Sequence, residues 1–118
     1  MAATTPKNYG DITRSISTSL RGWRNDSPAL ISGFNAFSET ALADGALSRK
    51  TKELIALALG VASHCDACLG FHARTLVKLG ASRAEVEDAL AVAVYMGGGP
   101  SLMYAADALR AFEEFAAA

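Results

Sequence analysis

The sequence predicts an all-α protein: a single-domain bundle of about six helices. Three observations carry this. Apolar residues recur at helical spacing, and no stretch alternates as a strand would. Helix starts are marked by Ser27-Pro28, by Ser48 and by the capping box Ser82-Arg83-Ala84-Glu85. Helix ends are marked by Asp44-Gly45, by Gly80 and by the Gly97-Gly98-Gly99 turn. A chain of 118 residues has the size of one domain, and it shows no repeat of solenoid period.

In chain order, residues 1–8 read as a loose tail. A short helix follows from Asp11 to about Gly22, with Ile12, Ile16 and Leu20 on one face. Trp23 is expected to pack where this arm meets the body. Residues 1–26 are thus an N-terminal arm, and residues 27–118 the helical domain. The helix opened by Pro28 presents Leu30, Ile31, Phe34, Phe37 and Leu42. In the next, Arg49, Lys50 and Lys52 crowd the first turn against the helix dipole and read as a solvated rim. Leu54 to Ala62 are apolar nearly all round, as in a central helix. The chain breaks between Gly60 and His64, and a new helix starts near Cys65 or Asp66 and runs to Leu79. The fifth helix carries Val86, Leu90 and Val94, and the sixth, started by Pro100, carries Leu102, Met103, Leu109, Phe112 and Phe115. Met96 and Met103 are expected to fill the core.

From Ala89 to Ala106 no residue is charged, which is long enough for a membrane span. Gly97 to Pro100 cut the stretch in its middle, so two helices joined by a turn are expected instead. Hydrophobic residues make up 51% of the chain and charged ones 19%, a surplus of apolar surface that calls for burial between subunits. The 11 basic and 12 acidic residues form no basic stripe, which argues against nucleic-acid binding. The N-terminus lacks the apolar core of a signal peptide, so the reducing cytoplasm is the expected location. There a pair of cysteines is expected to do chemistry rather than staple the fold.

Both cysteines and both histidines fall between Glu53 and His72. Cys65, Cys68 and His72 stand at i, i+3 and i+7, an arc of roughly 60° on one helix. Leu69, Leu76 and Leu79 share that side, so the stripe points toward the core. Two inert buried thiols and a core histidine would give the same pattern. The chemical reading has three supports. Sulfurs one turn apart can close into a small disulfide ring. A helix start stabilises a thiolate. His72 is at i+4 from Cys68, within reach to take its proton. Glu53 is the candidate orienter of His72, or else a first-turn glutamate suited to the dipole. His64 reads as a hinge histidine, and the Gly97–Pro100 turn as a close helix crossing.

Glu53, eleven residues, Cys65-x-x-Cys68, three residues, His72 resembles the motif of alkylhydroperoxidase D-like proteins of the carboxymuconolactone decarboxylase superfamily. The flanks Leu47 to Leu54, Leu79 to Ser82 and Met96 to Pro100 are similar too, and the resemblance covers roughly residues 28–110. It implies intertwined dimers within a larger homo-oligomer, a trimer or hexamer. It implies thiol-dependent reduction of a small hydroperoxide, with Cys68 attacking, Cys65 resolving, and Glu53 and His72 relaying protons. No cofactor is implied beyond the Cys65–Cys68 pair itself, with an external thiol or a lipoyl protein as reductant. Peroxidases of the group often carry a second histidine just before the second cysteine, where this chain has Ala67. Three other readings remain at this point: a decarboxylase-type acid/base enzyme using His72 and Glu53, a zinc site built from the same residues, and an oligomeric protein with a vestigial redox site.

Overall fold

Six helices follow one another in the computed structural model, which describes residues 6–118: α1 (Tyr9–Asp26), α2 (Pro28–Leu42), α3 (Arg49–Ala62), α4 (Asp66–Lys78), α5 (Arg83–Gly97) and α6 (Gly99–Ala117). No strand occurs among the described residues. The core lies between α3, α4, α5 and α6, with the start of α1 laid against α4 and α6. It is built from Leu57 and Val61 of α3, Leu69, Ala73 and Leu76 of α4, Val86 and Leu90 of α5, and Ala108 and Phe112 of α6.

The N-terminal arm is longer than its weak pattern suggests and starts earlier. Asn8 caps α1 by accepting from the Asp11 N–H at 2.8 Å. The Glu114 carboxylate, on α6, accepts from the Tyr9 and Gly10 N–H groups at 2.9 and 2.8 Å. A contact more than a hundred residues away in sequence thus satisfies two donors that helix geometry leaves open. It seats Tyr9 and Thr13 in the core. Gly70 permits the approach, because a Cβ there would stand 2.7 Å from Thr13 Cγ2. At the far end of α1, Trp23 stays 53% exposed rather than packing against the body.

Helix α2 buries no residue. Ser27 ends α1 and starts α2, yet its side chain makes no cap hydrogen bond; Pro28 alone carries the start signal. Leu30, Phe34 and Phe37 lie open. Helix α3 is central on one side only: Glu53, Leu57, Gly60 and Val61 are buried, while Ile55 and Leu59 are exposed. Those two line an apolar groove of about 570 Å³ between α3 and α5.

The basic first turn of α3 is anchored, not merely solvated. Asp44 accepts from the Arg49 N–H, Lys52 donates to the Ala43 carbonyl at 2.7 Å, and Lys50 pairs with Glu85 at 2.8 Å. The Lys50 ammonium holds the Glu85 carboxyl below its ordinary range. Glu85 also closes the expected capping box with Ser82. At the α5–α6 turn Gly98 adopts φ +71°, and any Cβ on Gly97 would collide with the Ser101 side chain. Alanines 105, 108 and 111 let α6 lie close on its neighbours. Met96 and Met103 are exposed, not core filler, because they sit on the faces of α5 and α6 turned away from that seam. No helix among the described residues is long and apolar enough to cross a membrane.

Two predictions follow from the arm's seat. Gly70→Ala should cost about 1–3 kcal/mol by overpacking against Thr13; Thr13→Ser, which removes the clashing methyl, should recover much of that loss in urea unfolding. The Tyr9 hydroxyl is buried without a hydrogen-bond partner among the described residues, and burial, helped by Asp107, pushes it up to about 12. A raised folded-state value means stability present below the ordinary tyrosine value of about 10 and lost as pH rises through 12. Tyr9→Phe should therefore keep more of its stability than the wild type between those limits, as read by unfolding at a series of pH values.

Candidate functional site

The site grows from the way α3 stops. The Cys65 N–H donates to the Gly60 carbonyl at 3.0 Å and the His64 N–H to the Val61 carbonyl at 3.1 Å, the paired bonds of a Schellman motif. The same pair ends α4, from Ala81 to Leu76 and from Gly80 to Val77, with Gly80 at φ +75°. At the end of α3 the left-handed position is held by His64, at φ +54°. A side chain there costs about 1–2 kcal/mol. The His64 ring lies flat on Tyr104 of α6, centroids 4.5 Å apart and planes 7° apart, a contact of the kind worth about 0.5–1.5 kcal/mol. The stack offsets much of the strain, so this hinge histidine is a fixed one.

The turn delivers Cys65 to the N-cap of α4. Its Sγ accepts from the Cys68 N–H at 3.2 Å, and the two cysteines are joined as a disulfide with Cα atoms 5.2 Å apart. Cys65 therefore precedes the helix instead of lying on its stripe. Leu69 and Leu76 do point into the core, but Leu79 is past the helix end and 37% exposed. Cys68 and His72 are half-buried, one helical turn apart.

From α3, Glu53 meets His72: Oε2 lies 2.6 Å from Nδ1. Glu53 is only 2% exposed, so its carboxylate belongs to the interior and not to a dipole-facing surface. With Nδ1 donating to this carboxylate, Nε2 is the ring nitrogen able to take up a proton. All four residues expected from the sequence are thus on two adjoining elements: Glu53 touching His72, and Cys65 bonded to Cys68.

Three further residues shape the site without having been expected there from the sequence. A Cβ on Gly60 would stand 3.0 Å from Cys68 Cβ, so glycine sets how near α4 comes to α3. A glycine inside an apolar helix costs about 1 kcal/mol relative to alanine, and that was the available signal. Lys7 pairs with Asp66, inside the CxxC, at 3.0 Å and with Asp107 at 3.3 Å, and lies over the Tyr104 ring. The Asp66 contact holds the ammonium above its ordinary value. Tyr104 and Lys7 reach the site only through long-range packing, which no local pattern announces. No group of three or more His, Cys, Asp or Glu side chains among the described residues is placed to hold a metal ion.

Residues 28–111 match the carboxymuconolactone decarboxylase family. The chain belongs to this family. Glu53 through His72 lie inside the matched segment. An uncharacterized protein of Cupriavidus necator is 42% identical over 86 residues, 73% of this chain and 76% of its own length. Uncharacterized protein 4 in the cox locus of Paracoccus denitrificans is 35% identical over 81 residues, 69% and 73% of the two chains. The crystal structure of an apo carboxymuconolactone decarboxylase family protein from Legionella pneumophila is similar with a TM-score of 0.90 and 56% identity, covering 92% of this chain and 96% of that one.

Gly60→Ala should push Cys68 outward by a few tenths of an ångström. The expected result is a stability loss of about 1 kcal/mol and slower re-formation of the Cys65–Cys68 disulfide after reduction, followed by timed alkylation.

Proposed function

We propose that this family member is a thiol-dependent peroxidase. The observation that carries the reading is the joint placement of a closing thiol pair and a Glu53-oriented His72 one turn from Cys68. In the reduced protein, His72 Nε2 takes the Cys68 proton. The thiolate attacks the terminal oxygen of the hydroperoxide; the O–O bond breaks, Cys68 becomes a sulfenic acid, and the departing alkoxide leaves as the alcohol with a returned proton. The Cys65 thiol then attacks the sulfenic sulfur and displaces water, closing the disulfide. An external dithiol, such as a dihydrolipoyl group, donates two electrons and two protons to reopen it. Cys65, held at the N-cap, is well placed to resolve because its sulfur already lies over the start of α4.

The same chemistry suits a reducing cytoplasm, where thiol donors are at hand. The exposed apolar faces of α2, α3 and α5 support a homo-oligomer of intertwined subunits.

The decarboxylase-type reading has one observation of its own. The Glu53–His72 pair makes its hydrogen bond without either sulfur and could serve acid/base chemistry alone. Turnover of an organic hydroperoxide with dithiothreitol or dihydrolipoamide separates the two. Cys68→Ser should fall to background and Glu53→Gln should lose about 10²-fold. A Cys68→Ser protein that keeps the wild-type rate would overturn the peroxidase.

A further inference from the structure

A second feature lies on the other flank of Phe71, the residue before His72. A groove of about 190 Å³ runs between α1, α2 and α4. Leu20, Ile31 and Phe71 give it an apolar floor, and Arg21, Arg24 and Asn35 line it with donors. No carboxylate lines it. Neither Arg21 nor Arg24 makes a salt bridge with a described residue; Arg21 donates only to Thr18 Oγ1 at 3.3 Å. A third arginine, Arg74, also unbridged among the described residues, lies over the Phe71 ring at 5.3 Å. The contrast with the rest of the surface is chemical. The large α3–α5 groove carries Glu85 and Asp88, Arg14, Arg83 and Arg110 each pair with a carboxylate, and Arg49 shares its groove with Glu39. Unanswered guanidiniums beside an apolar floor suit an anion with an apolar body. The floor also leads toward the thiols, because Phe71 is at i+3 from Cys68 and their Cβ atoms are about 5–6 Å apart.

We infer that this groove binds amphipathic monocarboxylates: the carboxylate on Arg21 and Arg24, the hydrocarbon chain along Phe71 toward Cys68. Resting on the peroxidase reading, the substrate class is then a hydroperoxy carboxylic acid, reduced at its O–O bond to the hydroxy acid while the Cys65–Cys68 pair is oxidised. Neither arginine touches the reacting atoms; they orient the substrate by its far end.

Octanoate, which has no hydroperoxide group, tests the groove apart from the chemistry. Calorimetric titration, with Trp23 fluorescence as a second readout, should show saturable binding. Arg21→Gln/Arg24→Gln should weaken it at least tenfold, Arg21→Lys/Arg24→Lys should recover part of the loss, and Lys50→Gln should leave it unchanged. Absence of saturable binding, or equal binding by the glutamine variant, would overturn the inference. For turnover, a hydroperoxy fatty acid should exceed its own methyl ester in kcat/KM, and the preference should collapse toward unity in the glutamine variant. A preference that survives there also overturns it. If neither compound is turned over, the peroxidase falls, and the octanoate titration still decides the groove.

Discussion

A carboxylate inside an apolar core is costly unless a partner answers it. Glu53, 2% exposed, is answered by His72 across the α3–α4 contact at 2.6 Å. That demand fixes more than one hydrogen bond. It sets the distance and the rotation of α4 on α3, because residues nineteen apart in sequence must meet. Gly60 then has to be small where Cys68 comes close, and the turn between the helices must be tight enough to bring the chain straight back. The Schellman motif supplies that turn, and Cys65 becomes the first cap of the returning helix. The thiol pair sits where it does because a buried acid and a base were brought together one turn further along.

Much of this is legible in the sequence. The start and stop signals placed α3 to α6 within a residue or two, since capping boxes and C-terminal glycines act through local backbone donors. Glu53, Cys65, Cys68 and His72 were singled out by spacing and by the resemblance that the family match supports. What failed was local reasoning about long-range contacts. The start of α1 depends on Glu114, from the other end of the chain, so the arm's own pattern undervalued it. Hydrophobicity alone predicts Trp23, Met96 and Met103 inside. Each lies on a face for which this chain offers no neighbour.

Those uncovered faces form a pattern of their own. The Cα radius of gyration is 15.0 Å, against about 13.5 Å for a compact domain of this length. Helix α2, with three large apolar side chains in the open and no buried residue, accounts for part of the spread. A helix with so little to hold it in one chain draws its stability from whatever covers it. The surplus of hydrophobic residues noted from composition is therefore not distributed at random. It lies on α2, along the α3–α5 groove, on α1 at Ile16, Leu20 and Trp23, and around the α5–α6 turn at Tyr95, Met96, Leu102 and Met103, while Glu53 stays inside.

The Schellman turn has a consequence for the proposed thiol cycle. Its two backbone bonds, the His64–Tyr104 stack and the lysine bridge from Lys7 to Asp66 hold the loop, and none of them passes through the sulfur–sulfur link. Opening the link frees two side chains and leaves the peptide path where it was. The contacts that hold the backbone of the oxidised protein are therefore ones that the reduced protein can keep. The proposed cycle would then run on a fixed jig, in which electrons and protons move and the chain stands still.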